Sequence, residues 1–194
     1  MSHYFTNDYL KSQIQKKHEN ILGTEFVFYV DNGVFAKKGV DFGSKLLLES
    51  GKVKNMSGRV LDVGCGYGVI GIVIAKITNS QVDMIDINKR AVHLTKINIK
   101  RNKINNANCF ESNIYSNVTK KYDYIITNPP IRAGKKIVYE ILMDAKKHLD
   151  SNGKLLLVVR KEQGAKSLIN DLSKVYNINI VTKKKNFFVI ECIL

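Results

Sequence analysis

A chain of 194 residues, 44% hydrophobic and 25% charged, carries enough apolar material for one packed domain, which excludes wholesale disorder and leaves little room for a second core. Its 31 Lys and Arg against 17 Asp and Glu leave a formal net charge of +14, which points to a polyanionic partner, nucleic acid first. Residues 1–23 read as an N-terminal extension and 24–194 as the domain. Glu25 to Asp31 is rich in aromatic and β-branched residues, and Asn32-Gly33 then predicts a tight turn into Val34-Phe35, a hairpin over 25–36. Asp41 to Glu49 reads as a helix. From Arg59 the pattern turns regular: strand Arg59 to Val63, helix Val69 to Lys76, strand Gln81 to Asp86, helix Lys89 to Arg101 capped by Asn88, strand Ala107 to Glu111. After the loop Ser112 to Lys120 come strand Tyr122 to Thr127, a helix near Lys136 to Leu149, strand Lys154 to Val159 and helix Gly164 to Tyr176. Strands alternating with helices imply an α/β fold, a mostly parallel sheet covered by helices on both faces. The last strands, Asn177 to Thr182 and Phe187 to Ile193, are joined only by Lys183-Lys184-Lys185-Asn186. That link is too short for a parallel crossover of about a dozen residues, so the sheet must finish with an antiparallel hairpin strand.

The strongest local signal is Asp62-Val63-Gly64-Cys65-Gly66-Tyr67-Gly68, where a strand becomes a helix. Glycines there let the backbone approach a ligand, and a helix N-terminus supplies free N–H groups. Gly66, Gly68 and Gly71 satisfy GxGxxG, with Asp86 about twenty residues on, so a nicotinamide dinucleotide is one candidate ligand. Asp62 opposes it, because a carboxylate at the strand tip repels a pyrophosphate and suits a ligand end bearing an ammonium and a sulfonium, as in S-adenosylmethionine. Asp86, ending the second strand of the regular series, can accept from both ribose hydroxyls, and Asn113 can meet the adenine edge. Cys65 fits as a small loop residue rather than a nucleophile.

The chain's only two prolines stand together in Asn128-Pro129-Pro130-Ile131, directly after a strand. Each fixes φ and lacks an N–H, so the neighbouring carbonyls are expected to be free to accept hydrogen bonds from something else. An exocyclic amino group fits: the Asn128 side-chain oxygen and the Pro129 carbonyl can take its two hydrogens, and their fixed dipoles stabilise positive charge growing on the nitrogen. No cysteine lies near this strand to serve as the nucleophile of a carbon-5 pyrimidine methyltransferase, which leaves nitrogen as the acceptor.

Cys65, Cys109 and Cys192 form no CxxC pair, and His3, His18, His93 and His148 have no metal-ligand spacing, so neither a disulfide framework nor a metal site is expected. No apolar run approaches the roughly 20 residues that span a bilayer, and the first twenty residues are polar. A cytoplasmic protein is expected.

With these motifs in hand, the chain resembles class I S-adenosylmethionine-dependent methyltransferases, and within them the small methyltransferase domain of bacterial enzymes that methylate guanine N2 in 16S rRNA. The likeness runs from about Tyr4 to the C-terminus. It includes Val34-Phe35 and Val40-Asp41-Phe42-Gly43-Ser44 ahead of Leu46-Leu47-Leu48, while Arg132-Ala133-Gly134-Lys135-Lys136 is similar to a single-domain branch of Gram-positive bacteria. The resemblance implies a Rossmann-like, seven-stranded sheet. It also implies a cofactor pocket of Gly43, Asp62, Gly64, Cys65, Gly66, Asp86, Ile87, Asn113 and Asn128, and a catalytic loop of Asn128, Pro129, Pro130 and Ile131. Two departures stand out: larger relatives carry an added N-terminal domain that residues 1–23 cannot supply, and Asn113 occupies a position more often Asp. Ile131 stands where adenine-N6 and glutamine-N5 methyltransferases usually have an aromatic, which argues against both substrates.

RNA, ribosomal RNA or the small subunit, is the expected partner. Lys135 and Lys136 sit at a helix start, where cations oppose the macrodipole and call for an anion, and Arg132 precedes them. Phe35 and Tyr67 are candidates for stacking on a ring, with packing an equal alternative. An N-methyltransferase acting on adenine or a protein amide, and a nicotinamide oxidoreductase, remain open at this point, as does the oligomeric state.

Overall fold

The computed structural model describes residues 11–194; residues 1–10, with His3 and Tyr4 of the expected extension, lie outside the described residues. The first element is a two-stranded antiparallel hairpin, β1 (Gln15–Ile21) with β2 (Thr24–Val30). Its turn is Leu22-Gly23, both at positive φ (55° and 81°), as a tight I′-type hairpin turn demands. The hairpin predicted over 25–36 is therefore misplaced, and part of the predicted extension is its first strand. At Asn32-Gly33 the chain instead leaves the sheet. Asp31, 3% exposed, accepts from the Ser12 hydroxyl and the Gln13 and Asn32 N–H groups, while Arg90 donates to the Asn32 carbonyl at 2.8 Å. These bonds bend the chain onto a helix start instead of returning it as a strand.

The main sheet contains β3 (Arg59–Val63), β4 (Gln81–Asp86), β5 (Ala107–Glu111), β6 (Tyr122–Thr127), β7 (Leu149–Arg160), β8 (Asn177–Lys184) and β9 (Phe187–Ile193) in the order β5-β4-β3-β6-β7-β9-β8. β3 to β7 run parallel, and β9 is antiparallel to both its neighbours, as the short final link requires. The helices are α1 (Phe42–Glu49), α2 (Val69–Ile77), α3 (Lys89–Arg101), α4 (Lys135–Asp144) and α5 (Ala165–Leu172). α4 stops before the predicted Leu149, and α5 before Tyr176. Gly153, predicted to precede the strand, lies inside an irregular start of β7, where its lack of a Cβ lets the Tyr122 carbonyl approach.

Alternation along β3 sends Leu61 to one face and Asp62 to the other. The first face buries Leu61, Ile85 and Ile125 against Leu142 of α4 and Leu172 of α5. The second packs Val60 and Met84 against Leu47 of α1, Ile72 of α2, Leu94 of α3 and the hairpin residues Phe26 and Phe28. β3 leads to β4 on one side and β6 on the other, so a crevice opens beyond the carboxyl ends of β3 and β6, the usual ligand position in such sheets. Both sequence motifs end there.

Candidate active site

The glycine loop follows β3. Gly64, Gly66 and Gly68 all have positive φ, and at Gly68 (92°) a Cβ would also lie 2.8 Å from Thr95, so this position requires glycine. Gly71 is needed for closeness: a Cβ there would stand 2.5 Å from Met84, so α2 rests directly on β4.

The loop's N–H groups are largely consumed within the fold. Gly64 and Cys65 donate to the Ile85 carbonyl, Gly66 to Asp86 (2.9 Å), Gly68 to the Cys65 carbonyl and Gly71 to Asp62 (2.9 Å). The expectation of free N–H groups is met only in part: among the described residues those of Tyr67, Val69 and Ile70 have no acceptor. The acceptors for Gly66 and Gly71 are carboxylates, whose charge opposes a pyrophosphate. Cys65 contributes backbone and shape only. Its thiol turns inward toward Thr95 and Cys109, and that neighbour together with burial pushes its pKa well up, away from nucleophilic character.

Asp62 is 1% exposed, and one carboxylate oxygen holds Gly71 while the other, Oδ1, has no partner among the described residues. Burial pushes its pKa up to about 7, only partly offset by the Gly71 bond. A buried carboxylate oxygen lacking a donor matches a cationic ammonium and mismatches an anion. Asp86 holds Gly66 with one oxygen and Asn88 with the other, and desolvation raises its pKa too; each oxygen keeps a lone pair for a ribose hydroxyl. Ile87 is half-buried beside it, and Asn113 lies on an exposed turn after β5, with no hydrogen bond from its side chain among the described residues. The donor set therefore fits S-adenosylmethionine.

The proline loop abuts the glycine loop: a Cβ on Gly64 would stand 3.8 Å from Pro130 Cδ. Thr127 joins the two strand ends through its hydroxyl bond to the Val63 carbonyl (2.8 Å). Asn128 then follows, half-buried, with Nδ2 donating to Asp41 Oδ1 (3.1 Å) and to Ser44 Oγ (3.0 Å). Both amide hydrogens are spoken for, so the amide cannot turn over, and among the described residues nothing donates to its Oδ1. Asp41 is also the N-cap of α1, accepting from the Gly43 and Ser44 N–H groups. One carboxylate thus starts a helix and orients the amide. Gly43 lies against this pair, and a Cβ there would crowd Asp41 Oδ1 and the Phe187 ring, both at 3.1 Å.

The prolines behave differently from expectation in one respect. Pro130 (φ −75°, ψ 79°) is the centre of an inverse γ-turn in which the Ile131 N–H donates to the Pro129 carbonyl at 2.9 Å. That carbonyl therefore has a backbone donor, contrary to the sequence reading, and keeps one lone pair. The Pro130 carbonyl accepts from Ala133. The residue whose acceptor stays open is Asn128.

Arg132, Lys135 and Lys136 are exposed just beyond, at the start of α4. Lys135 lies 5.0 Å above the Tyr139 ring, which positions its ammonium, and it helps hold the Asp171 carboxyl below its usual pKa, so an anion of the protein itself already faces this charge. Tyr67 is 3% exposed and packs edge-on against Phe28, a packing role rather than a stacking platform, while Phe35 is 51% exposed.

Sequence reasoning missed Asp41 and Ser44 as anchors of Asn128, although Asp41 directly ahead of an apolar helix is a capping signal. It also missed Asn98, 0% exposed, which bonds both backbone groups of Tyr29 and the Tyr67 carbonyl, tying the hairpin to the glycine loop.

The methyltransferase small domain family matches residues 25–191. The chain belongs to that family. Its methyl donor is S-adenosylmethionine, which removes the nicotinamide alternative. An uncharacterized Bacillus subtilis protein, YbxB, is 41% identical over 97% of this chain and 96% of its own length. Ribosomal RNA small subunit methyltransferase C of Psychromonas ingrahamii is 35% identical over 96% of this chain; the chain spans 54% of that relative. The structure of the T. thermophilus 16S rRNA N2 G1207 methyltransferase in complex with AdoMet and guanosine superposes with a TM-score of 0.84 at 24% identity, covering 95% of this chain and 51% of that one. This likeness bears on fold, a Rossmann-like methyltransferase sheet. Among the described residues, no helix is long and apolar enough to cross a membrane.

Proposed function

We propose that this chain methylates the N2 amino nitrogen of guanine in the RNA of the small ribosomal subunit, in the cytoplasm. The observation that carries the reading is the anchored amide of Asn128, its acceptor oxygen open beside the glycine loop. The name of the Psychromonas relative and the substrate of the Thermus enzyme support the choice of substrate.

Bound in the crevice, S-adenosylmethionine supplies a methyl group made electrophilic by its sulfonium. In our reading Asp86 and Ile87 hold the ribose side, Asn113 the adenine edge and Asp62 Oδ1 the ammonium, with Gly43, Gly64, Cys65 and Gly66 shaping the walls. Asn128 Oδ1 and the remaining lone pair of Pro129 accept the two amino hydrogens of guanine. A guanine amino lone pair is delocalised into the ring, so its reactivity depends on orientation. Two fixed acceptors pull the hydrogens to one side and leave the lone pair facing the methyl group. As the nitrogen turns positive, the same two dipoles stabilise it without reorganising. The nitrogen then sheds a proton to water, and no strong general base is needed. Pro130 and Ile131 hold this geometry through the γ-turn.

Mass spectrometry of nucleosides from small-subunit RNA of a deletion strain tests the proposal. N2-methylguanosine should fall, return with the wild-type gene and stay low with Asn128→Ala. An unchanged level, or loss of a different methylated nucleoside, would refute the assigned substrate.

A further inference from the structure

Beside Asn128 lies a cluster that the reaction above does not use. Phe42, the first residue of α1, and Phe187, the first residue of β9, are in ring contact with centroids 5.2 Å apart. Each ring carries a cation: Lys185 Nζ lies 5.1 Å from the Phe42 centroid, and the Arg160 guanidinium 5.2 Å from that of Phe187. The rings are half-buried, and both cations are exposed. The cluster reaches the active site through Gly43, whose missing Cβ would lie 3.1 Å from the Phe187 ring and 3.5 Å from Asn128 Nδ2. Arg160 ends β7 at the carboxyl edge of the parallel sheet, the edge at which the glycine and proline loops emerge. The turn after it is clipped to the β8–β9 tip by the Lys161 N–H bond to the Asn186 carbonyl (2.7 Å), so the two cations share one rigid rim.

We propose that Phe42, Phe187, Arg160 and Lys185 dock the RNA strand on the nucleotide next to the target guanine. This rests on the RNA reading above and adds where the strand runs. Arg160 and Lys185 suit backbone phosphates, and the rings that hold them in place lower the entropy cost of presenting two long side chains to a ligand. The ring edges offer an apolar contact to a base, as single-strand sites do. Glu162, 3.6 Å from Arg160, and Asp41, beside Gly43, are the opposing charges here, outnumbered by Arg160, Lys185 and the exposed Lys161, Lys183 and Lys184. The charge therefore stays net positive, and the complementary partner is a flexible polyanion.

The test compares the double variant Arg160→Ala/Lys185→Ala with Lys100→Ala/Lys146→Ala, which removes equal charge from the opposite end of the sheet. KM for small-subunit RNA should rise about tenfold in the first, with kcat nearly unchanged, and the slope of log affinity against log salt should shrink by about 1.4, two single-strand phosphate contacts. Calorimetry should find S-adenosylmethionine affinity unaltered, and Phe187→Leu should raise KM in the same direction. Equal effects from both double variants, or an unchanged KM and salt slope in the first, would overturn the docking site while leaving the methylation reading intact. A wild-type protein that methylates no RNA would overturn that reading and this inference together.

Discussion

Asn128 is useful because of what holds it. An asparagine free to turn presents its amide nitrogen or its oxygen at similar cost, and only the oxygen can accept from a guanine amino group. Asp41 and Ser44 remove that freedom. Asn128→Ala should abolish methyl transfer while leaving the affinity for S-adenosylmethionine nearly intact, since in the proposed arrangement Asp62, Asp86 and Asn113 carry most of its binding; calorimetry beside a methylation assay checks both halves. Ser44→Ala leaves one amide hydrogen without its acceptor, so kcat should drop by about tenfold with the cofactor affinity retained. At Asp62 the consequence is a pH dependence. With a folded pKa raised to about 7, against about 4 in the unfolded chain, the native state keeps the proton that the unfolded state gives up. Stability therefore falls as pH rises from about 4 to about 7 and levels off above. Asp62→Asn, neutral throughout, should flatten that segment in thermal melts at a series of pH values; an unchanged slope would remove Asp62 as its source. The same variant should bind S-adenosylmethionine more weakly, because an amide cannot answer the ammonium's charge.

At the level of elements, α3 replaces a strand. Asn98 and Asn102, one turn apart, bond the backbone N–H and C=O groups of Tyr29 and Val27, so two side chains close the edge of β2 that would otherwise be exposed to pairing. Asn98→Ala would leave one buried and two half-buried backbone groups without their partner and should destabilise the protein by about 2 kcal/mol in denaturant unfolding. It should also loosen the glycine loop and weaken cofactor binding. The strands and helices from Arg59 on were legible because apolar runs alternate there with capped helices, Asn88 being the clearest cap. The N-terminal hairpin was not. β1 is polar along nearly its whole length, so it shows no alternation, and its partner supplies the buried face through Phe26, Phe28 and Val30. The stronger turn chemistry of Asn32-Gly33 drew the reading away from Leu22-Gly23, and only the bonds of Asp31, Asn88 and Arg90 account for that segment's real path. The γ-turn was hidden for a similar reason: Pro-Pro announces rigidity, whereas the carbonyl that receives the Ile131 N–H depends on ψ.

Across the whole molecule, topology delivers what neither motif contains alone. β3 and β6 are adjacent although about sixty residues separate them, and their carboxyl ends set the glycine loop against Pro130. Alternation and the short final link argue a parallel sheet with an antiparallel last strand, but neither says which strands are neighbours, so the adjacency of β3 and β6 that joins the two motifs was not legible. What pattern alone withheld was orientation: which amide hydrogens are occupied, which loop N–H groups are consumed, and that Lys135 already faces Asp171. A net charge of +14 supplies a long-range attraction to any polyanion, so under the proposed function affinity for RNA should fall steeply with salt while S-adenosylmethionine binding changes little; equal salt slopes for the two would count against a phosphate-led interaction. In the proposed function, the amino group is placed by Asn128 Oδ1 together with the Pro129 carbonyl. A crystal structure of the protein with S-adenosylhomocysteine and guanosine examines that directly. The account predicts the guanine N2 within hydrogen-bond distance of Asn128 Oδ1, with Asp41 and Ser44 still gripping Nδ2; a guanine bound with its amino group turned away from Asn128 would contradict it.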